Sequence, residues 1–401
     1  MSLISVSNQK PIHLQLQRDL IRTIKRGHCW VYKDALRELP HAETGVSAIL
    51  HDNRGGREIG RGYYDPVGDI ALRICTTRRG QQLDDSWAEG RIQRAVDLRL
   101  GIFDSQTTAY RLFNGEGDGL PGMVCDRYAE TAVLSFDGQA PYRFWNVYGI
   151  ARWLVENLGF CSVYERTRTG KSPKGRLVIG QDSESEVNFL EYGVQFTADL
   201  IHGQKTGFYL DQRENRRRMR IFSAGKRVLN LFGYTGGFSV CAGVAGADHV
   251  TTVDSAQPAL LAAEKHWVLN GLDPGKHAVV CSDVFQYLET AVGEHQFWDM
   301  VILDPPSFAS SSEAVLGAIS AYKTLISRGA LLTRRGGVLA AASCSSRIDI
   351  DQFIEVCQEG LSKARLQAQV MGVYSQPADH PVPLGMPEFR YLKFVILRID
   401  C

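Results

Sequence analysis

Three acids and a glycine-rich turn in the second half of the chain are placed where they could hold a nucleoside. The turn Leu231-Phe232-Gly233-Tyr234-Thr235-Gly236-Gly237-Phe238 follows the apolar run KRVLNLF. Asp254 closes HVTTVD, Asp283 closes HAVVCSD and Asp304 closes FWDMVILD. Glycines after a first strand let the backbone approach a ligand closely. A carboxylate at the end of the next strand can accept both hydroxyl hydrogen bonds of a ribose. Asp283 could accept from an adenine amine. Each acid alone reads equally well as a helix N-cap, because strand-to-helix turns favour Asp. All three together, behind a glycine loop, point to an adenosyl ligand. The loop lacks the G-x-G-x-x-G spacing of a dinucleotide site. S-adenosylmethionine carries no pyrophosphate, so a differently built loop suffices, and it is the expected cofactor.

Cysteine supplies the second chemical option. Nine are spread along the chain: Cys29, Cys75, Cys125, Cys161, Cys241, Cys281, Cys344, Cys357 and Cys401. None forms a CxxC pair and no Cys/His cluster has zinc spacing, so no metal is expected. The odd count argues against a disulfide framework. Cys241 and Cys281 sit inside apolar runs and read as small core residues. Cys344 ends GGVLAAASC, flanked by the hydroxyls of Ser343, Ser345 and Ser346, with Arg347 close behind.

These residues need a scaffold that gathers strand ends. From about residue 193 the chain alternates strand and helix: KRVLNLF, FSVCAGVAGA, HVTTVD, AQPALLAAEKHWVLNGL, HAVVCSD, FWDMVILD and GGVLAAASC. That rhythm predicts a parallel, doubly wound sheet with its ligand at the strand C-termini. The first 78 or so residues read instead as short strands and turns (VSAILHD, DNRGG, REIGRGYYD, IALRICT), which suggests a small β-barrel. A helix is expected over roughly 82–100. Residues 108–192 mix strands such as TAVLSFDG with one amphipathic helix, PYRFWNVYGIARWLVENLG, and the turn RLFNGEGDGLPG, in which Glu116 and Asp118 have open roles.

The whole chain has 401 residues, 44% hydrophobic and 22% charged, which is ordinary for a globular protein of two or three domains. No run of about 18 apolar residues would span a membrane. The N-terminus lacks the apolar core of a signal peptide, so a cytoplasmic protein with no membrane partner is expected. A net charge of +1 neither demands nor excludes nucleic acid. The basic patches are Arg22/Lys25/Arg26, Arg78/Arg79, the stretch Arg166 to Arg176 and Arg216/Arg217/Arg218; the plain reading of each is a solvated surface.

Several longer motifs carry a family resemblance: Arg26-Gly27-His28-Cys29-Trp30-Val31-Tyr32, Gly60 to Pro66, Arg111-Leu112 and Gly115 to Gly122. The same holds for His202 to Arg213, Phe232 to Phe238, Asp304-Pro305-Pro306-Ser307-Phe308 and Ser343-Cys344-Ser345. On these residues the chain resembles, over nearly its whole length, the RlmI/YccW-like family of 23S ribosomal RNA cytosine-C5 methyltransferases. The resemblance implies an α/β protein. A PUA-like RNA-binding domain (1–80) would be followed by a linker helix and middle α/β domain (81–192), then a Rossmann-like class I methyltransferase domain (193–401). It implies that Phe232, Gly233, Tyr234, Thr235, Gly236, Asp254, Ser255, Asp283, Val284 and Asp304 line the cofactor pocket. Phe208, Asp211 and Gln212, in the segment Phe208 to Arg213, would pack over it, although that segment could equally be a strand followed by a helix start at Asp211.

The implied reaction gives Cys344 and Asp304 catalytic roles. Carbon 5 of cytosine is too weak a nucleophile to attack a methyl sulfonium until a thiolate has added at C6. Cys344 is the candidate thiolate, with Arg347 as a neighbouring cation. A protonated Asp304 could hydrogen-bond cytosine N3. The partner would be ribosomal RNA, its cytosine flipped or single-stranded. Tyr322 and Lys323 could face the RNA, but the plainer reading puts them on an amphipathic surface helix. Oligomeric state is not legible, and a homodimer is compatible with the sequence. Two other functions stay open: methylation of another base atom, which needs no cysteine, and an inactive RNA-binding or ribosome-assembly protein. A nicotinamide dehydrogenase is disfavoured by the loop.

Overall fold

The computed structural model describes residues 2–5, 9–166, 175–181, 186–309 and 313–400. The expected basic stretch Arg166 to Arg176 therefore lies largely outside the described residues, as does Cys401. The chain forms two compact units. One comprises Met1–Glu191, Thr197–Leu210 and Ala378–Pro387; the other comprises Tyr192–Phe196, Asp211–Pro377 and Glu388–Cys401.

The first unit begins with a five-stranded sheet whose strands lie in the order Ile12–Gln15, Ser47–His51, Glu58–Tyr64, Ile70–Thr76, Trp30–Tyr32. Its two edges meet: Gln17 N–H donates to Ala35 O at 2.8 Å and Arg37 N–H to Gln15 O at 2.9 Å, which closes the sheet as the strand-and-turn pattern predicts. Alternating side chains, including Leu14, Leu50, Tyr64 and Leu72, fill the interior. The helix Asp85–Leu100 follows, capped by Asp84, whose carboxylate accepts the Trp87 N–H. A second five-stranded sheet runs in the order Gly175–Gly180, Ser162–Arg166, Thr131–Phe136, Met123–Tyr128, Ala109–Asn114. The single helix expected over PYRFWNVYGIARWLVENLG is two helices, Gln139–Phe144 and Val147–Leu158. The break occurs because Trp145 leaves helical geometry to enter the core, where its Nε1–H donates to Pro121 O at 3.0 Å, and Asn146 then caps the second helix.

Glu116 and Asp118 prove to be charge clamps within this unit. Glu116 accepts from Trp30 Nε1 at 2.7 Å and from Arg73. Asp118 takes the buried Arg99 guanidinium in a two-pronged bridge of 2.7 and 2.8 Å. The segment Ala378–Pro387 completes the network. Asp379 O accepts from Arg99 at 2.6 Å, the Asp379 carboxylate accepts the Arg111 N–H at 2.9 Å, and Pro381 O accepts from Asn114 at 2.8 Å.

The second unit is built on a seven-stranded sheet: β1 Arg227–Leu231, β2 His249–Asp254, β3 His277–Cys281, β4 Trp298–Leu303, β5 Thr333–Ser343, β6 Gln367–Tyr374 and β7 Lys393–Asp400. Their order is β3-β2-β1-β4-β5-β7-β6. Strands β1 to β5 are parallel, as the alternating pattern predicts. The sheet is not wholly parallel, however. β7 runs antiparallel to both β5 and β6, because the chain returns from β6 without a crossover helix. The helices are α1 Arg213–Arg220, α2 Gly237–Val244, α3 Gln257–Leu269, α4 Val284–Gly293, α5 Val315–Leu332 and α6 Ile350–Ala364. The strand order reverses between β1 and β4, so a crevice opens at the carboxyl ends of these strands.

Candidate active site

The turn between β1 and α2 is conformationally costly. Phe232 and Tyr234 adopt φ of 58° and 45°, a region that L-residues rarely occupy, and Gly236 has φ of 75°. The surroundings hold it in place: Gly233 N–H donates to Val253 O at 3.0 Å, and Tyr234 N–H donates to Asp254 Oδ2 at 2.8 Å. Packing demands glycine at two positions of the loop. A Cβ on Gly233 would lie 2.4 Å from Thr252 Cγ2, and one on Gly236 would lie 2.7 Å from Ala263 Cβ. The Thr235 carbonyl accepts from His266 Nδ1 at 2.9 Å, which pins the loop to α3. His266 is fully buried and was not singled out from the sequence.

A buried polar chain backs the loop. Asn230 Nδ2 donates to Ser239 Oγ (2.8 Å), Ser239 meets Thr252 Oγ1 (2.6 Å), and Thr252 meets His277 Nε2 (2.7 Å). Since Asn230 donates, the hydroxyls can point the same way and end on an accepting imidazole nitrogen. The His277 ring stacks on Trp267 at 4.5 Å. Burial first, and His249 second, pull its pKa down to about 4.

Asp254 is half-buried, and each of its oxygens accepts one backbone N–H, Oδ2 from Tyr234 at 2.8 Å and Oδ1 from Ala256 at 2.9 Å. A carboxylate offers about four lone-pair sites, so one on each oxygen is left for a diol. Ser282 N–H donates to Asp254 O at 3.0 Å and Cys281 Sγ lies 3.6 Å from Ser255 O, bringing the ends of β2 and β3 together. Asp283 caps α4, accepting the Gln286 N–H at 3.0 Å, and Val284 is buried directly behind it. The capping role that competed with adenine recognition is thus realised for Asp283. Cys281 is exposed, not the core residue that its apolar run predicts, because it sits at the open end of β3. Phe232, Phe285 and Phe308 form a half-buried aromatic wall with ring centres 6.3 to 6.5 Å apart.

The ends of β4 and β5 carry the second cluster. Asp304 Oδ1 accepts from Gln212 Nε2 at 2.8 Å. Gln212 Oε1 accepts from Asn215 at 2.7 Å, and Asn215 accepts from Arg218 at 3.1 Å, so α1 supports Asp304 through a relay. Asp211 lies next to Gln212 and accepts from the Tyr391 hydroxyl at 2.8 Å. Cys344 is half-buried, with Sγ 4.0 Å from Pro305 O. The nucleophile candidate and the Asp-Pro-Pro turn therefore share one pocket edge.

Two further residues lie at this edge: Tyr322, which the sequence places on a surface, and Lys393, which it does not single out. Tyr322 is 1% exposed, so it faces the interior beneath Phe308 rather than RNA or a solvated surface. Burial pushes its phenol up to about 12, with the charges of Cys344 and Asp304 adding and Ser343 opposing. Lys323, next along α5, pairs with Glu359. Lys393 heads β7, is 2% exposed, and donates from Nζ to Ser345 O and, at 2.9 Å, to Tyr391 O. Arg347, the cation expected beside Cys344, is exposed.

Phe208 belongs to the first unit. It is not in a strand; its ring packs edge-on to Phe189 at 5.1 Å and its N–H donates to the Tyr128 hydroxyl at 3.1 Å. The patch Arg216/Arg217/Arg218 is not uniformly solvated. Arg216 falls on the buried face of α1, while Arg217 stacks over Tyr192 (4.2 Å) and Arg218 over Tyr374 (4.1 Å). Among the described residues, no cluster of His, Cys, Asp and Glu could hold a metal, and no helix is long and apolar enough to cross a membrane.

Comparison with known proteins fits this geometry. Residues 171–368 match the model of an S-adenosylmethionine-dependent methyltransferase family, and residues 14–77 match that of a PUA-like domain. A ribosomal RNA large subunit methyltransferase of Deinococcus radiodurans is 34% identical, over 98% of this chain and 99% of its own length. A ribosomal RNA large subunit methyltransferase I of Shewanella denitrificans is also 34% identical, over 97% of this chain and 99% of its own. A crystal structure described as a putative methyltransferase complexed with SAH superposes with a TM-score of 0.85 at 27% identity, covering 96% of this chain and all of that one.

Proposed function

From the premise that this chain belongs to the ribosomal RNA large subunit methyltransferase I family, and is an S-adenosylmethionine-dependent methyltransferase of ribosomal RNA, we propose that it makes 5-methylcytidine in 23S ribosomal RNA through a covalent bond between Cys344 and C6 of the target cytosine. The observation that carries the reading is the placement of Cys344 Sγ 4.0 Å from the Pro305 carbonyl, one residue from Asp304, at the open end of a sheet that carries the cofactor loop.

When bound, S-adenosylmethionine supplies an electrophilic methyl group. The loop from Phe232 to Gly236 and the Asp254 carboxylate fit its adenosyl half: the backbone turns tightly, and each Asp254 oxygen keeps a lone pair for a ribose hydroxyl. The Cys344 thiolate adds to C6, and the displaced π pair makes C5 nucleophilic. Asp304 donates a proton or hydrogen bond to N3, which relieves the charge that builds on the ring. Gln212 fixes the other Asp304 oxygen and so orients the carboxyl. After C5 has accepted the methyl group, loss of its proton to a base returns the S–C6 pair to sulfur and frees the thiolate. The PUA-like sheet, with Arg22, Lys25 and Arg26 exposed beside it, is assigned to RNA binding.

The test uses labelled S-adenosylmethionine, unmodified ribosomal RNA and the Cys344→Ala variant, followed by digestion to nucleosides. Label in 5-methylcytidine that vanishes in the variant is the expected result. Label in a methylated guanosine or adenosine that survives the substitution overturns both product and nucleophile.

A further inference from the structure

We propose that Lys393 and Cys344 form an amine–thiol pair, in which Lys393 is the positioning residue that accepts the thiol proton and then holds the thiolate as its counter-ion. The inference rests on the reading of Cys344 as the nucleophile.

The geometry carries it in three steps. First, Lys393 is placed by register: it heads β7 directly opposite Ser343, the last residue of β5, and Cys344 is the next residue along. Second, its amine is held rigidly. Nζ donates to the carbonyl of Ser345, on the far side of Cys344, and to that of Tyr391 at 2.9 Å. Those carbonyls use two of the three N–H groups of an ammonium. Third, the charge has no ordinary partner. Lys393 is 2% exposed, and among the described residues no carboxylate lies at ion-pair distance from it. A buried ammonium without a counter-charge is strongly disfavoured.

The charged groups that act on Lys393 are Cys344 and Asp349, both favouring its protonated form, while Cys344 and Asp304 both act on Tyr322 of α5. Burial outweighs them and brings Lys393 down to about 8. An amine in that range lies close to the reference range of cysteine thiols, so proton exchange between the two kinds of group costs little. The step balances: the S–H bond breaks, the proton goes to the lone pair of Nζ, and the sulfur pair attacks C6. On elimination the S–C6 pair returns to sulfur beside the ammonium.

The experiment measures alkylation of Cys344 by iodoacetamide in the full-length protein, resolved by peptide mass spectrometry, as pH is raised from mildly acidic to alkaline. The exposed Cys281 serves as internal reference. In Lys393→Gln the pH of half-maximal Cys344 alkylation rises, and its rate near neutrality falls about tenfold or more, while Cys281 is unchanged. Lys393→Arg keeps the cation and keeps most of the rate. Superimposable Cys344 profiles in wild type and Lys393→Gln overturn the pair. Folding of each variant is checked by thermal melting and S-adenosylmethionine binding. Should Lys393→Gln fail to fold, the wild-type profile decides: Cys344 must reach its half-maximal rate at lower pH than Cys281, and an equal or higher value overturns the proposal. Alkylation needs no RNA, so a negative result here is distinct from a nucleoside analysis that refutes 5-methylcytidine.

Discussion

Gln212 donates its side-chain amide to Asp304 across 2.8 Å, and it is itself 3% exposed and braced by Asn215. A residue placed this way orients the Asp304 carboxyl. Gln212→Ala is expected to lower kcat by about 10- to 100-fold through misorientation, with a much smaller change in S-adenosylmethionine affinity. Single-turnover kinetics set beside calorimetric titration separate the two, and a loss confined to cofactor affinity would return Gln212 to the cofactor pocket.

Asp254 anchors the loop and, in the proposed cofactor site, offers its remaining lone pairs to the ribose. Asp254→Ala removes the acceptor of the Tyr234 and Ala256 N–H groups. Cofactor dissociation constants should rise at least tenfold, since lost charge-assisted hydrogen bonds are worth about 1.5–3 kcal/mol. Calorimetry with S-adenosylmethionine measures this, and an unchanged constant would remove Asp254 from the site.

Gly233→Ala should destabilise the second unit by about 1–3 kcal/mol, because the new methyl would sit 2.4 Å from Thr252 Cγ2. Thr252→Ser removes that methyl and keeps the hydroxyl that bonds Ser239 and His277. In denaturant unfolding, the double variant should recover part of the loss, as a coupled pair does. Simple additivity would show that the strain lies elsewhere.

His277 makes stability depend on pH in a stated direction. Its folded pKa, about 4, lies below the unfolded value of 6.5, so the unfolded chain takes up the proton first. The contribution is complete above about pH 6.5 and is lost as pH falls toward 4, at no more than about 1.4 kcal/mol per pH unit. Protonation would also deny Thr252 its acceptor. Urea melts between these limits should give a steeper loss for wild type than for His277→Gln, and identical slopes would show that His277 carries none of it.

Much of the site could be read from the chain because parallel strands buried on both faces appear as unbroken apolar runs, and their ends stand out as Asp254, Asp283, Asp304 and Cys344. The loop was legible for the same reason, from glycines that follow β1. Lys393 and His266 were not, since each reaches the site from an element far away in sequence and its neighbours look like ordinary strand or helix; Tyr322 reads as a surface residue from its helix, yet it is buried. A faint signal for Lys393 exists: it is the one charge at the head of the apolar run KFVILRID. Cys281 misled because an apolar run does not say which end of a strand is open. The helix break at Trp145 escaped because PYRFWNVYGIARW keeps helical periodicity, while the core takes Trp145 out of the helix.

The segment Ala378–Pro387 is made between β6 and β7, yet it belongs to the first unit, where it supplies acceptors for Arg99, the Arg111 N–H and Asn114. The order of synthesis therefore runs against the usual one, in which an N-terminal domain folds before the rest has left the ribosome. Arg99, fully buried once folded, must wait for residue 379 to emerge before its guanidinium gains the last of its acceptors. A nascent or truncated chain ending near residue 192 holds both five-stranded sheets of that unit but lacks Thr197–Leu210 and this piece, so the first half matures only when the second is nearly made.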